Sequence, residues 1–349
     1  MISGMRRLGH DVHFLHIERE SGDCQDMRSA WGDAYHFCPY HAPHRPGQRF
    51  WRRFQKWLGA DARYRYSVDE WWDDSASETI SALQDALNFD VAIVEYVFFS
   101  KALECFDRSV LKILDTHDVF TNRHRIYLQQ GISPQWFSTS SSEERKGLNR
   151  ADVVFAIQEQ ERKFFSTLTR KPVLTIGHIV TLSATAATPE TNNILYVGSK
   201  NPINVESIQR FVRDVFPMVR ERIPSAVLFI AGDVCDELGE NDAVVRCGKV
   251  DNLEQLYASA NVVVNPMALG TGLKIKNLEA IGYGKSLVTS TIGAGGLEDG
   301  AGRAFMVADD PGDFAVAVIK MLTDRELNAV FARRAYDYAA NTRSFHVDA

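Results

Sequence analysis

Between residues 193 and 290, short apolar runs alternate with stretches whose apolar residues recur every three or four positions. The runs are Asn193–Gly198, Ala226–Ala231, Ala243–Cys247, Val262–Asn265 and Ser286–Ser290. Successive apolar positions bury both faces of a strand. Between them, Val205, Ile208, Phe211, Val212, Val215 and Val219 line one face of a helix that stops before Pro224, and Leu253–Ala260 and Lys274–Tyr283 read as further helices. Strands covered on both faces and joined through helices imply right-handed crossovers and a parallel sheet. The first half repeats the pattern, with strands predicted at 11–17, 90–94, 111–114 and 152–156 and helices near 78–87, 143–149 and 159–168. The small, polar, proline-containing stretch 179–193 reads as a linker.

This pattern predicts an α/β chain of two Rossmann-like lobes facing each other across a cleft, with ligands beyond the carboxyl ends of the strands. The lobes are expected over 1–187 and 188–324. A C-terminal helix is expected over 325–349, with packing back on the first lobe as one option. Met1–Leu8 and Gly9 resemble the end of a helix with its glycine stop, followed at once by a strand. The strand that normally precedes such a helix is absent, and in the usual order it would be central. The expectation is a first lobe shortened at its N-terminus; a lobe that simply starts at the helix is the alternative.

Composition bounds the partners. The 349 residues are 45% apolar and 24% charged, with a net charge of −6, so the chain is globular and has no overall basic field for a nucleic acid. No apolar run approaches a membrane span, and the first residues do not read as a signal peptide. Five scattered cysteines suit a reducing cytoplasm and, like the histidines and acidic pairs, reserve no metal site; neither metal nor cofactor is expected.

Chemistry concentrates in Asn265–Lys285. After a strand comes Gly270-Thr271-Gly272, opening directly onto a helix, where unsatisfied backbone N–H groups make an anion site. Lys274 and Lys276 sit in the first turn, where they oppose the helix dipole, a placement easier to explain if a diphosphate occupies the mouth. Glu279 could accept from a ribose diol. A glycine loop beside a surface helix with solvated lysines is the bland reading of the same residues.

The order of strand, glycine loop, Leu273-Lys-Ile-Lys-Asn-Leu-Glu-Ala280, Gly284-Lys285 and apolar strand resembles the donor-binding lobe of retaining glycosyltransferases of the GT-B fold, the family 4 type. Tyr196-Val-Gly-Ser199 with Asn204, Phe216-Pro217, Pro224–Gly232, Asp251–Asn261 and Gly293–Leu297 resemble further family segments in the same order, as do Gly9–His13 and Asp115–Asp118 in the first lobe. The likeness is strong over 194–310 and loose over 18–88. It implies that Glu279 holds the donor ribose. The family carries another glutamate eight residues earlier, where this chain has Thr271, which leaves the sugar contact to backbone amides of Gly270, Thr271, Gly272 and Leu273. It implies that Lys200, after the Gly198 turn, and Lys276 meet the diphosphate. Asn204 stands where a second basic residue is expected, so that charge is expected to have moved to Lys274 or Lys276. Gly232, Gly248 and Val250 are placed near the base.

In the first lobe, His117 follows a strand and lies between Asp115 and Asp118. It is read as a catalytic-side residue that bonds a sugar hydroxyl, against a structural histidine with a capping Asp118. Glu95 and Tyr96, also ending a strand, are acceptor-side candidates. Residues 45–66 interleave Arg and Lys with Phe, Trp and Tyr, which suits simple packing, an anionic membrane or lipid-linked acceptor, or single-stranded nucleic acid, the last disfavoured. The resemblance implies transfer of a sugar from a nucleoside diphosphate to an acceptor hydroxyl on a glycan, lipid-linked sugar or small molecule, with retained configuration and without metal. The place expected is the cytoplasm, with peripheral contact to the inner face of the membrane an option. An epimerase or phosphorylase of similar fold, or nucleotide binding without catalysis, are the alternatives.

Overall fold

Parallel sheets form where the apolar runs lie. A computed structural model describes residues 2–19, 24–42, 54, 57, 61–129, 131, 133–134, 136–183, 191–250, 252–270, 272–342 and 345–348. Two units divide the chain: Met1–Ala156 with Glu161–Thr175, and Ile157–Gln160 with Ile176–Ala349.

The first unit contains α1 (Ile2–Arg7), β1 (Phe14–Glu18), α2 (Cys24–Trp31), β2 (Tyr35–Pro39), α3 (Ser75–Leu87), β3 (Val91–Glu95), β4 (Leu111–Asp115), α4 (His124–Gln129), α5 (Ser141–Leu148), β5 (Val153–Ala156), α6 (Glu159–Leu168) and β6 (Val173–Thr175). Strands β3-β4-β5-β6 make one parallel sheet in that order, while β1 and β2 form a parallel pair of their own. Leu15 and Ile17 of β1 and Val94 of β3 pack on a common core of Cys38, Trp72, Ala76, Ile80 and Ala102. The pair is thus held to the unit by side chains rather than by ladder bonds.

In the second unit come β7 (His178–Thr181), β8 (Asn193–Val197), α7 (Pro202–Arg210), α8 (Phe216–Arg222), β9 (Val227–Ala231), β10 (Val244–Gly248), α9 (Leu253–Ser259), β11 (Val262–Asn265), α10 (Ile275–Gly282), β12 (Ser286–Thr289), β13 (Met306–Val307), α11 (Pro311–Thr323), α12 (Arg325–Asn341) and β14 (Phe345–Asp348). Six strands pair in the order β10-β9-β8-β11-β12-β13, all parallel. Alternate residues feed two cores: Ile194, Tyr196, Leu228, Ile230, Val262 and Val264 point to one, and Leu195, Val263 and Leu287 to the other. Both faces are therefore covered, as the unbroken apolar runs require.

Four expectations change. The helix expected over 205–219 is broken by a π-helical turn at Phe211–Val215, where the Phe216 N–H reaches back to the Phe211 carbonyl. The wider turn falls immediately before Pro217, which brings no N–H of its own to the ladder. The division of the chain falls at 175/176, not near 187, a position outside the described residues. Part of the expected linker is strand: His178–Thr181 pairs in parallel with Phe345–Asp348. The C-terminal helix ends at Asn341, and its Phe331, Ala335, Tyr338 and Ala339 are buried in the cores of the second unit.

Candidate functional site

In an open parallel sheet the crevice for a ligand opens where neighbouring strands send their chains in opposite directions. In the second unit that point lies between β8 and β11. A cavity of about 340 Å³ sits there, lined by Val197, Gly198, Ser199, Asn204, Gly232, Asp233, Lys249 and Lys276. Its floor is three strand ends stitched together: the Gly198 N–H donates to the Ala231 carbonyl at 3.0 Å, and the Gly232 N–H to the Gly248 carbonyl at 2.7 Å. Gly232 has a φ of 100°, and a Cβ there would strike the Gly198 carbonyl group. Only glycine allows that approach.

The lysines of the signature part company. Lys276 turns into the cavity: its Nζ donates to Asn204 Oδ1 at 2.8 Å and to the Tyr196 hydroxyl at 3.2 Å, and lies 4.6 Å from the centre of the Tyr196 ring. Lys276 Nζ thus stands beside Asn204, the position at which the resemblance looks for a second basic residue. Burial, then the nearby Lys274, pushes the Lys276 ammonium down to about 7. Lys274 is buried and its Nζ donates to the Gly272 carbonyl at 2.6 Å, which closes the glycine loop. Gly270 and Gly272, with φ of 119° and 75°, form that loop; Thr271 lies outside the described residues. Lys200, expected on the diphosphate, is instead half-exposed and pairs with Glu237 at 2.6 Å and Asp236 at 3.8 Å. Lys249, which the sequence reading passed over as a charge, stands on the cavity wall, while Gly248, Val250, Gly270, Gly272, Leu273 and Lys274 do not line it.

Glu279 projects from α10 and accepts from the Tyr257 hydroxyl at 3.2 Å; burial raises its carboxyl above the ordinary range. Asn277, on the same helix, was not legible as a site residue. It is fully buried, accepts from Asn265 Nδ2 at 2.9 Å and donates to the Gly293 carbonyl at 2.8 Å. It ties the ends of β11 and β12 to the helix that carries Lys276 and Glu279. Lys285 is structural: its Nζ reaches the Ala258 and Ala260 carbonyls at 3.2 and 3.3 Å, at the end of α9.

In the first unit, His117 and Glu95 meet beyond the adjacent ends of β4 and β3. Glu95 Oε2 accepts from His117 Nε2 at 3.1 Å, Asp115 lies 4.0 Å away, and the Tyr96 ring is 4.6 Å from the imidazole. Burial works against the imidazolium, but the Glu95 hydrogen bond and the charges of Asp115 and Glu95 prevail and raise its pKa. Tyr96 and His117 both have positive φ, 67° and 58°, a conformation that stores strain in residues other than glycine and clusters at functional positions. Asp118 caps no helix; it pairs with Arg123 at 2.7 Å. The loop after it is pinned by the buried Glu144 of α5, which accepts from the Phe120 and Thr121 N–H groups at 2.8 and 2.9 Å and from the Thr121 hydroxyl.

Of the basic aromatic stretch 45–66, only Phe54, Trp57 and 61–66 are among the described residues, so its membrane reading lies outside them. Among the described residues no helix is long and apolar enough to cross a membrane, and no group of three His, Cys, Asp or Glu could hold a metal ion.

Residues 191–324 match the family described as Glycosyl transferases group 1. A 44.6 kDa protein in the cps region of Klebsiella pneumoniae is 29% identical over 140 residues, which is 36% of this chain and 36% of that protein. The structure of HepE from Anabaena, in complex with UDP and glucose, superposes with a TM-score of 0.61 at 13% identity, over 96% of this chain and 95% of that one. A variant of S. aureus TarM, in complex with fondaparinux, α-GlcNAc-glycerol and UDP, gives 0.60 at 12% identity, over 76% of this chain; the match spans 55% of TarM. By sequence, residues 191–324 resemble a group 1 glycosyl transferase domain, and the chain that carries them has the GT-B fold.

Proposed function

We propose that the second unit binds a nucleoside-diphosphate sugar and that the protein transfers the sugar, with retained configuration, to an acceptor hydroxyl on a glycan, lipid-linked sugar or small molecule. The reading is carried by Lys276, whose Nζ stands beside Asn204 in a glycine-floored cavity at the switch point of the sheet. Bound UDP in HepE and TarM, and the cps-region relative, support a nucleotide-sugar donor and a place in polysaccharide assembly.

In this mechanism the bond from the anomeric carbon to the diphosphate breaks as the bond to the acceptor oxygen forms on the same face. The acceptor proton passes to the departing phosphate oxygen. Lys249, Lys276 in its protonated form and the N–H groups of the glycine loop meet the charge that grows on the leaving group. Glu279 accepts from the ribose diol. His117 donates to a carbohydrate hydroxyl, with Glu95 fixing its ring. Titration calorimetry with UDP tests the site: Lys276→Ala and Glu279→Ala are each expected to weaken binding about tenfold or more, the scale of one charge-assisted hydrogen bond. Isotherms unchanged in both variants would refute it, and an inverted anomeric centre in the product would refute retention.

A further inference from the structure

Lys276 of this cavity has only neutral side-chain hydrogen-bond partners among the described residues. Lys276 Nζ bonds to an amide oxygen of Asn204 and a hydroxyl of Tyr196, and both side chains are themselves buried. A part-buried ammonium with neutral partners and no ion pair is pushed toward its neutral form. The charged groups around it do not reverse this. On its own segment Lys274 repels it, and Glu279, three residues along, attracts it more weakly than burial acts. On β8 it meets only the Tyr196 phenol, and on α7 only Asn204. On the cavity wall, Asp233 accepts the Lys200 backbone N–H at 2.6 Å, Lys249 adds positive charge, and the Lys200 ammonium is turned to Glu237.

We infer that when the diphosphate of a nucleotide sugar enters this cavity, Lys276 takes up a proton from solution, so that the empty site is neutral at that nitrogen and the filled site holds an ion pair. The inference rests on the donor-site reading above. No bond in the ligand changes: one buffer proton joins the Lys276 amine, and the resulting ammonium faces the phosphate oxygens. Because the free ammonium titrates at about 7, affinity falls by up to about tenfold per pH unit above that point. Below it the proton is already in place and affinity levels off.

UDP-glucose is the suitable probe, since both its phosphates are esterified and neither titrates between pH 6 and 8.5. Titration calorimetry at pH 8 in phosphate and in Tris, which differ widely in ionisation enthalpy, reads proton uptake directly. Roughly 0.9 proton per site is expected at pH 8 and roughly 0.1 at pH 6. Lys276→Arg, charged at every pH, is expected to bind with no uptake. Heats that do not depend on the buffer at pH 8 overturn the inference while leaving the donor site intact, as does a Lys276→Arg protein that takes up as many protons as the wild type. Should the Arg variant not fold, the two-buffer measurement on the wild type decides alone. If UDP-, GDP-, ADP- and TDP-glucose all fail to bind, the donor-site reading falls and this inference with it.

Discussion

Replacing Gly232 by Ala tests the claim that the cavity floor is a close-packed seam of strand ends. At φ 100° and ψ 175° this residue occupies backbone space that is essentially reserved for glycine, and an L residue there stores about 1–3 kcal/mol. The added methyl would also lie 3.0 Å from the Gly198 carbonyl carbon and closer still to its oxygen, both backbone atoms that cannot rotate away. Relief requires the β8 and β9 ends to part, which stretches the Gly198-to-Ala231 hydrogen bond, worth about 1 kcal/mol. Together these give a loss of about 3 kcal/mol, or about 6–12 °C in the unfolding midpoint of a unit of this size. Gly239→Ala is the control, because nothing lies within 4 Å of a Cβ there and its φ is not positive; it is expected to fall within about 0.5 kcal/mol of the wild type. Calorimetry of the full chain compares them. A Gly232→Ala transition that coincides with the control would refute the seam.

Further outcomes concern the first unit. Burial pushes the Glu144 carboxyl up to about 7. The folded protein therefore holds that proton more tightly than the unfolded chain does from about pH 4.5 to 7, and the unit loses stability as pH rises through that window. Glu144→Gln is expected to remove this slope and to cost about 1–3 kcal/mol, since an amide NH2 must face donors from Phe120 or Thr121; urea denaturation at pH 5 and pH 8 checks both. Glu95→Gln is expected to lower the His117 pKa from its raised position, read from the imidazole proton shifts in an NMR titration. Stability linked to His117 is full below its unfolded value and lost as pH rises through the folded one, so the same variant is expected to flatten that part of the profile. An unmoved His117 titration would show that Glu95 does not hold it.

The fold was legible wherever the signal was local. Val262–Asn265 and Ala226–Ala231 are apolar without interruption, and such runs leave little choice but a covered parallel strand. What distant pairing decides was not legible. His178–Thr181 is a strand because Phe345–Asp348 lies beside it, and nothing in the small, polar composition around it says so. The π turn hides because Val205 to Val219 keep a helical spacing on either side; Pro217 was the one local hint. At the site, the motif announced two lysines at a helix start, and only the resemblance singled out Lys276. The choice is made by the register of α10, which aims Lys276 at Asn204 and folds Lys274 back on its own loop. Lys200 was lost to Glu237, a partner supplied by a short helical turn after β9. Asn277 escaped notice because an amphipathic pattern treats polar residues as solvated, whereas this one is buried as a tie between loops.

The walls of the cavity come from residues 197–199, 204, 232–233, 249 and 276, segments set side by side only once β8, β9, β10 and β11 have all paired. No fragment of the unit short of α10 can present the complete receptor. A nucleotide bound there would touch the ends of three neighbouring strands and α10 instead of one loop, and its binding energy would add to the stability of the unit. Such a ligand arrives last in folding, after the long-range closures have been made, and thereafter slows the unfolding that would have to part them.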